Sequence, residues 1–120
     1  MRLIKASEAP SEKGTTFTGD VTLTRLLSGA AGSISVSSVR FENGARTNWH
    51  EHPGEQVLYI VEGEARAGTA DGEELRAGPG DIIHLPANQR HWHGAVEGQS
   101  MTHLSITTVG PPTWYEPPED

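Results

Sequence analysis

Residues Asn48 to Gly63 read "NWHEHPGEQVLYIVEG". Two histidines one residue apart, His50 and His52, precede a Pro53-Gly54 bend. An acid and an amide, Glu55 and Gln56, then lead into "QVLYIVEG", the most apolar run of the chain. On a strand, residues i and i+2 share a face. On a helix the same spacing splays the rings by about 200°. His-x-His therefore gathers two imidazoles only in a strand, and neutral imidazole is a common ligand for first-row metals. The neighbouring acid and amide then compete for the next ligand position, and the choice sets the charge of the site.

Strand parity bears on that choice. If the strand continues through Pro53-Gly54, positions 50, 52, 56, 58 and 60 share a face. Gln56 then projects toward the histidines, Glu55 points away as an ordinary solvated acid, and Leu58 and Ile60 continue into the core. A one-residue bulge at Pro53-Gly54 would exchange Glu55 and Gln56.

The six histidines include a second His-x-His, His91 and His93 in "HWH". One such pair alone reads equally well as two surface histidines. Two pairs in a short β-rich chain bring three or four imidazoles into one small volume, which is a metal site. His84, in "IIHLP", has no evident partner and reads as structural. Trp49 and Trp92 flank the paired histidines, so they should lie on the opposite pleat face and pack in the core or an interface.

The rest of the chain fits many short strands. Its 120 residues suit one domain, and Gly 14 and Pro 8, few aromatics and no long helical periodicity favour a sandwich or barrel. Strands are expected at Val21–Leu27, Ser33–Phe41, the run after Gln56, a hairpin about Asp71-Gly72, "IIHLP", "HWHGAVEG" and "MTHLSITTV". "SGAAGS" (28–33) reads as a loop. The organisation is an N-terminal arm over 1–20 with one short edge strand, a barrel over 21–108 and a Pro-rich tail over 109–120. Trp114 and Tyr115 of that tail are expected to pack back on the body.

A net charge of −7 without a basic cluster argues against nucleic acid and anionic membranes as partners. The absence of cysteine excludes disulfides and thiolate metal sites. The first residues lack the apolar core of a secretory signal and no run matches a membrane helix, so the expected location is cytoplasmic.

At this point the chain resembles the cupin family, the small β-jelly-roll metal proteins. Their first motif is G(X)5HXH(X)3,4E(X)6G. Gly44, His50, His52, Gln56 and Gly63 stand at its spacing, with Gln56 where the family usually has Glu. In the second motif, G(X)5PXG(X)2H(X)3N, Gly80, Pro86 and His91 match, while Asn88 replaces Gly and Ala95 replaces Asn. Asn tolerates the left-handed backbone that a turn Gly supplies. The resemblance covers about residues 21–108.

The resemblance implies an all-β cupin double-stranded β-helix, a jelly-roll barrel, in a single domain. His50, His52 and His91 would be metal ligands completed by Gln56. "RTNWHEHPGEQ", "RHWHGA" and "MTHLSI" also look like a subgroup with three-His, one-Gln sites that includes the manganese-dependent cupin hydroxynitrile lyases. By that likeness His93 and His103 lie near the metal without binding it, and Phe41 and Thr47 line a pocket for a small molecule. It favours Mn(II), with Fe(II) next. Ni, Co or Zn also suit nitrogen and oxygen donors. His103 would be the general base of a lyase-type reaction and His93 its helper. An Fe(II) dioxygenase and a non-catalytic small-ligand binder are the alternatives. Against the role of His103, its neighbours Leu104 and Ile106 form an apolar face that could leave it in solvent. A homodimer is expected, as is loss of metal below about pH 6, where ordinary imidazoles protonate.

Overall fold

Short alternating segments cannot bury an apolar face alone, so they pair into sheets that cover one another. The computed structural model describes residues 1–28, 33–108 and 110–119, and most of the loop expected over 28–33 lies outside them. The strands are β1 Ser11–Lys13, β2 Phe17–Thr18, β3 Val21–Leu27, β4 Ser35–Phe41, β5 Arg46–Thr47, β6 His50–Glu51 and β7 Gln56–Gly63. They continue with β8 Ala65–Thr69, β9 Glu74–Ala77, β10 Ile82–Leu85, β11 His91–Ala95, β12 Met101–Thr107 and β13 Thr113–Trp114. Among the described residues the helical structure is one 3-10 turn, Ala6–Glu8. None of it is long and apolar enough to cross a membrane.

Every pairing is antiparallel. One sheet runs β1-β3-β4-β12-β7-β10. In the other, β11 is central, with β8 and then β9 on one side and β5 and β6 on the other, edged by β2 and β13. The architecture is the expected jelly roll. The inner face of the six-stranded sheet carries Val21, Val39, Phe41, Leu58, Ile60, Ile83, Leu85 and Met101, which form the core with Ala45, Ala65, Ala67, Ala77 and Ala95 of the other layer. Such side chains contribute about 1.5–3 kcal/mol each when buried. Alternation in β7 puts Gln56, Leu58 and Ile60 inside and leaves Tyr59 at the surface.

Two irregularities place the site. The register of β11 shifts by one residue between its pairs with Arg46 and His50, so a bulge at Asn48-Trp49 holds one extra residue. That bulge lets Thr47 and His50 both project inward although their parity differs. The chain then leaves the seven-stranded sheet at His52 and enters the six-stranded sheet at Gln56. The strand that sequence parity carried through Pro53-Gly54 is thus two strands in two sheets. Asn88 has φ 64, the left-handed conformation expected where it replaces Gly.

The arm and the tail belong to the sheets. The arm supplies two strands, where one was expected: β1 edges one sheet and β2 the other. Tail strand β13 pairs with β6. Gly94 sits where β11 crosses β5, and a Cβ there would lie 2.4 Å from both the Ala45 carbonyl oxygen and the Arg46 Cβ. Gly94→Ala should therefore destabilise the protein by roughly 1–3 kcal/mol, the range for an overpacked interior, read as a lowered thermal midpoint. A variant that melts like the wild type would contradict this close approach.

Candidate metal centre

Five of the histidines, His50, His52, His91, His93 and His103, are buried inside the barrel. His50 and His91 face each other as a cross-strand pair of β6 and β11, with ring centroids 4.3 Å apart. Parity along β11 brings His93 to the same face, 5.2 Å from His50 and 5.7 Å from His91 between centroids. His52, just beyond β6, lies 5.1 Å from His50 and 5.6 Å from His91. Ring nitrogens of His50, His91 and His93 come within 4.8 Å of one another. That group shares two members with the expected ligand set and contains His93 in place of His52.

Hydrogen bonds decide which nitrogens are available. His50 Nδ1 bonds the Asn48 carbonyl at 2.9 Å, and His91 Nδ1 bonds the Gln89 carbonyl at 2.8 Å. Each bond makes Nδ1 the protonated nitrogen and leaves Nε2 with its lone pair directed into the barrel. Gln56 donates its amide to Ser105 Oγ at 2.8 Å, which turns its oxygen toward the histidines, 3.2 Å from His91 Nε2. Among the described residues, His52 Nε2 and His93 Nε2 are buried with no hydrogen-bond partner. An orphaned buried polar group costs about 1–3 kcal/mol. Convergent imidazole nitrogens, two of them orphaned, with one oriented amide oxygen fit a divalent first-row ion that accepts nitrogen and oxygen donors.

Glu55 takes no part. Its carboxylate lies on the outer surface, 2.6 Å from His84 Nε2, so His84 has a partner that its sequence context did not reveal. Gln56, by contrast, is 3% exposed. His103, on β12, is fully enclosed. Leu104 and Ile106 take the outer face of its strand. His103 Nε2 and His93 Nδ1 are 3.1 Å apart. Thr47 lines the cavity, and its hydroxyl accepts the His93 backbone N–H at 3.1 Å. Phe41 stands one layer behind, its ring 5.2 Å from that of His103 and 6.0 Å from that of His93. Trp92 lies on the outer face as expected, with the Arg46 and Arg66 guanidiniums 5.0 and 5.3 Å from its ring.

His50, His52, His93 and His103 line one end of a cavity of about 730 Å³ whose other walls include Phe17, Leu23, Leu27, Val39 and Trp114. A larger hollow of about 900 Å³ beside Trp92 and Glu119 on the outer face contains none of the histidines and is not the metal centre. Ser105 and Trp114 are parts of the site that sequence reasoning missed. Ser105 carried a usable signal, since it stands two residues after His103 on the same strand face.

Burial pushes all five imidazoles toward the neutral form. His52 falls to about 4 through burial and then the neighbouring His91, and His103 falls to about 4 through burial alone. His50 and His93 are lowered well below the ordinary value, first by burial and then by His91 and His103 respectively, and His91 is lowered by burial. These rings are already neutral where ordinary imidazoles protonate. The neutral form that metal binding requires therefore persists below the pH of about 6 at which ordinary imidazoles protonate.

Residues 37–107 match the cupin domain family. Over 109 residues the chain is 36% identical to an (R)-mandelonitrile lyase from Granulicella tundricola, a match covering 88% of this chain and 83% of that protein. A shorter match, 40% over 47 residues, relates it to an acireductone dioxygenase of Rhodopseudomonas palustris and covers 37% of this chain and 28% of that protein. A cupin-like protein from Thermotoga maritima superimposes with a TM-score of 0.79 at 33% identity, covering 88% of this chain and 87% of that one.

The depressed imidazoles set the acid stability of the metal-free protein. The unfolded chain takes up protons near 6.5 that the folded barrel refuses until about 4 at His52 and His103. Stability is therefore full above the unfolded value and is lost as pH falls from about 6.5 toward 4. The thermal midpoint of chelator-treated protein should decline through that window. A midpoint constant from pH 7 to pH 5 would contradict the burial of neutral imidazoles.

Proposed function

The chain belongs to the cupin family, and on that premise we propose that it is a divalent-metal enzyme of the lyase type acting on a small hydroxy or carbonyl compound. The observation that carries the proposal is His93 Nε2, which has no partner among the described residues, in the histidine-lined end of the cavity, backed by His103. In the proposed ligand set, His50, His52 and His91 act with the Gln56 oxygen, and Mn(II) is favoured over Fe(II). A divalent ion held by four uncharged donors supplies a Lewis acid that keeps its full positive charge.

The chain's own residues handle the proton. In one tautomer His93 Nδ1–H donates to His103 Nε2, and His93 Nε2 keeps its lone pair for a substrate hydroxyl. A proton accepted there passes through the ring as the Nδ1 proton moves on to His103. His103 is then the final base and His93 the group that meets the substrate. Thr47 accepts the His93 backbone N–H, and the Phe41 ring packs against both imidazoles of the pair. Cyanohydrin cleavage is the sharpest version of this chemistry, and the mandelonitrile lyase relative supports it. The partial match to an acireductone dioxygenase supports an iron-dependent oxygenase as the second reading, for which oxygen uptake should appear only with Fe(II). We also propose a homodimer, supported by exposed Tyr59, Val61 and Ile82 on strands of the six-stranded sheet. Light scattering should then give twice the chain mass.

Two experiments test the reading. Mn(II)-reconstituted protein should cleave mandelonitrile faster than chelator-treated protein, and equal rates would remove the cyanohydrin version. His52→Ala should lose bound metal by elemental analysis. His93→Ala should keep it and lose about 10²–10⁴-fold in kcat. The reverse metal contents would assign His93 to the ligand set in place of His52.

A further inference from the structure

We propose that Trp114 is a positioning residue of the metal centre, clamping His50 so that its Nε2 keeps one direction. The inference rests on His50 being a metal ligand and not on the reaction catalysed. Trp114 is the cross-strand partner of His50 in the β13–β6 pair. Its indole stacks on the imidazole with centroids 4.3 Å apart and planes 30° from parallel. The Asn48 carbonyl holds Nδ1 of the same ring. A hydrogen bond at one atom and an indole on one face remove the ring's rotational freedom, and stacking of this kind adds attraction beyond area burial.

Trp114 keeps 37% of its surface exposed, so its position is not that of an enclosed core residue. The segment around it is instead fastened to the residues on either side of His50. Tyr115 N–H donates to the Trp49 carbonyl at 2.8 Å, and Trp49 N–H donates to the Glu116 carbonyl at 3.0 Å. On the other side Tyr115 Oη donates to Glu51 Oε1 at 2.8 Å, and the Arg90 guanidinium lies 3.6 Å from the Tyr115 ring centroid. Further along, Arg46 donates to the Pro118 carbonyl at 3.1 Å. From the opposite end of the chain, Phe17 meets the Trp114 ring at 6.0 Å. The two ends of the sequence thus meet at one wall of the cavity, and that wall bears on a ligand.

Co(II) titration of chelator-treated protein, followed by calorimetry and by the visible ligand-field spectrum, tests this. Trp114→Ala should weaken Co(II) binding by about three- to tenfold, the range expected of one aromatic pair, with an altered ligand-field spectrum. Trp114→Phe should recover most of both, and Trp92→Phe, on the opposite sheet face, should leave both unchanged. Trp114→Ala with wild-type affinity and spectrum would overturn the inference. A wild-type protein that takes up no Co(II) would overturn the metal reading of His50, and this inference with it, whatever the outcome with mandelonitrile.

Discussion

A neutral imidazole enclosed in an apolar barrel needs a partner for each ring nitrogen, and five such rings share this interior. Backbone carbonyls serve His50 and His91 at Nδ1, and His93 and His103 serve each other. Among the described residues, Nε2 of His52 and of His93 and Nδ1 of His103 stay buried without partners, beside a cavity whose other walls mix aliphatic and aromatic groups with serine, threonine and charged side chains. Near neutral pH protonation does not relieve them at rest, because burial disfavours the charged form. In the proposed ligand set a divalent ion is the partner of the His52 lone pair, and the His93 lone pair is kept for substrate. The two sheets, the crossing at His52 to Gln56 and the bulge before His50 all bring these rings to one end of one cavity.

Much of this was legible in the sequence because it depends on local periodicity. The two His-x-His pairs, the core face of β7 and the turn at Asn88 follow from residue type and spacing. The inward position of Gln56 and the outward one of Glu55 came out as parity suggested, but by another route. Gln56 points inward because β7 pairs with β10 and β12 in the second sheet, and Glu55 is drawn outward to His84. Parity carried from His52 met the right answer across a break it could not see. The bulge at Asn48-Trp49 was equally hidden, since only the register against β11 reveals it.

The parts missed share one physical character: they are long-range and short. A two-residue strand such as β13 has no periodicity to read, and its Pro-rich surroundings resemble a linker. Trp114 and Tyr115 were expected to pack back, but nothing in their neighbourhood names His50 and Glu51 as their partners. Ser105 is the milder case. Its side chain fixes the orientation of the Gln56 amide, and so presents oxygen rather than nitrogen to the histidines. In the proposed ligand set that oxygen is the uncharged donor.

We propose that the buried histidines form a metal centre with uncharged ligands. X-ray absorption at the metal edge, on protein purified without chelators and then reconstituted with Mn(II), tests it most directly. The spectrum should show a shell of nitrogen and oxygen only, with the multiple scattering of coordinated imidazoles. A shell without imidazole scattering, or protein that retains no metal after reconstitution, would contradict it.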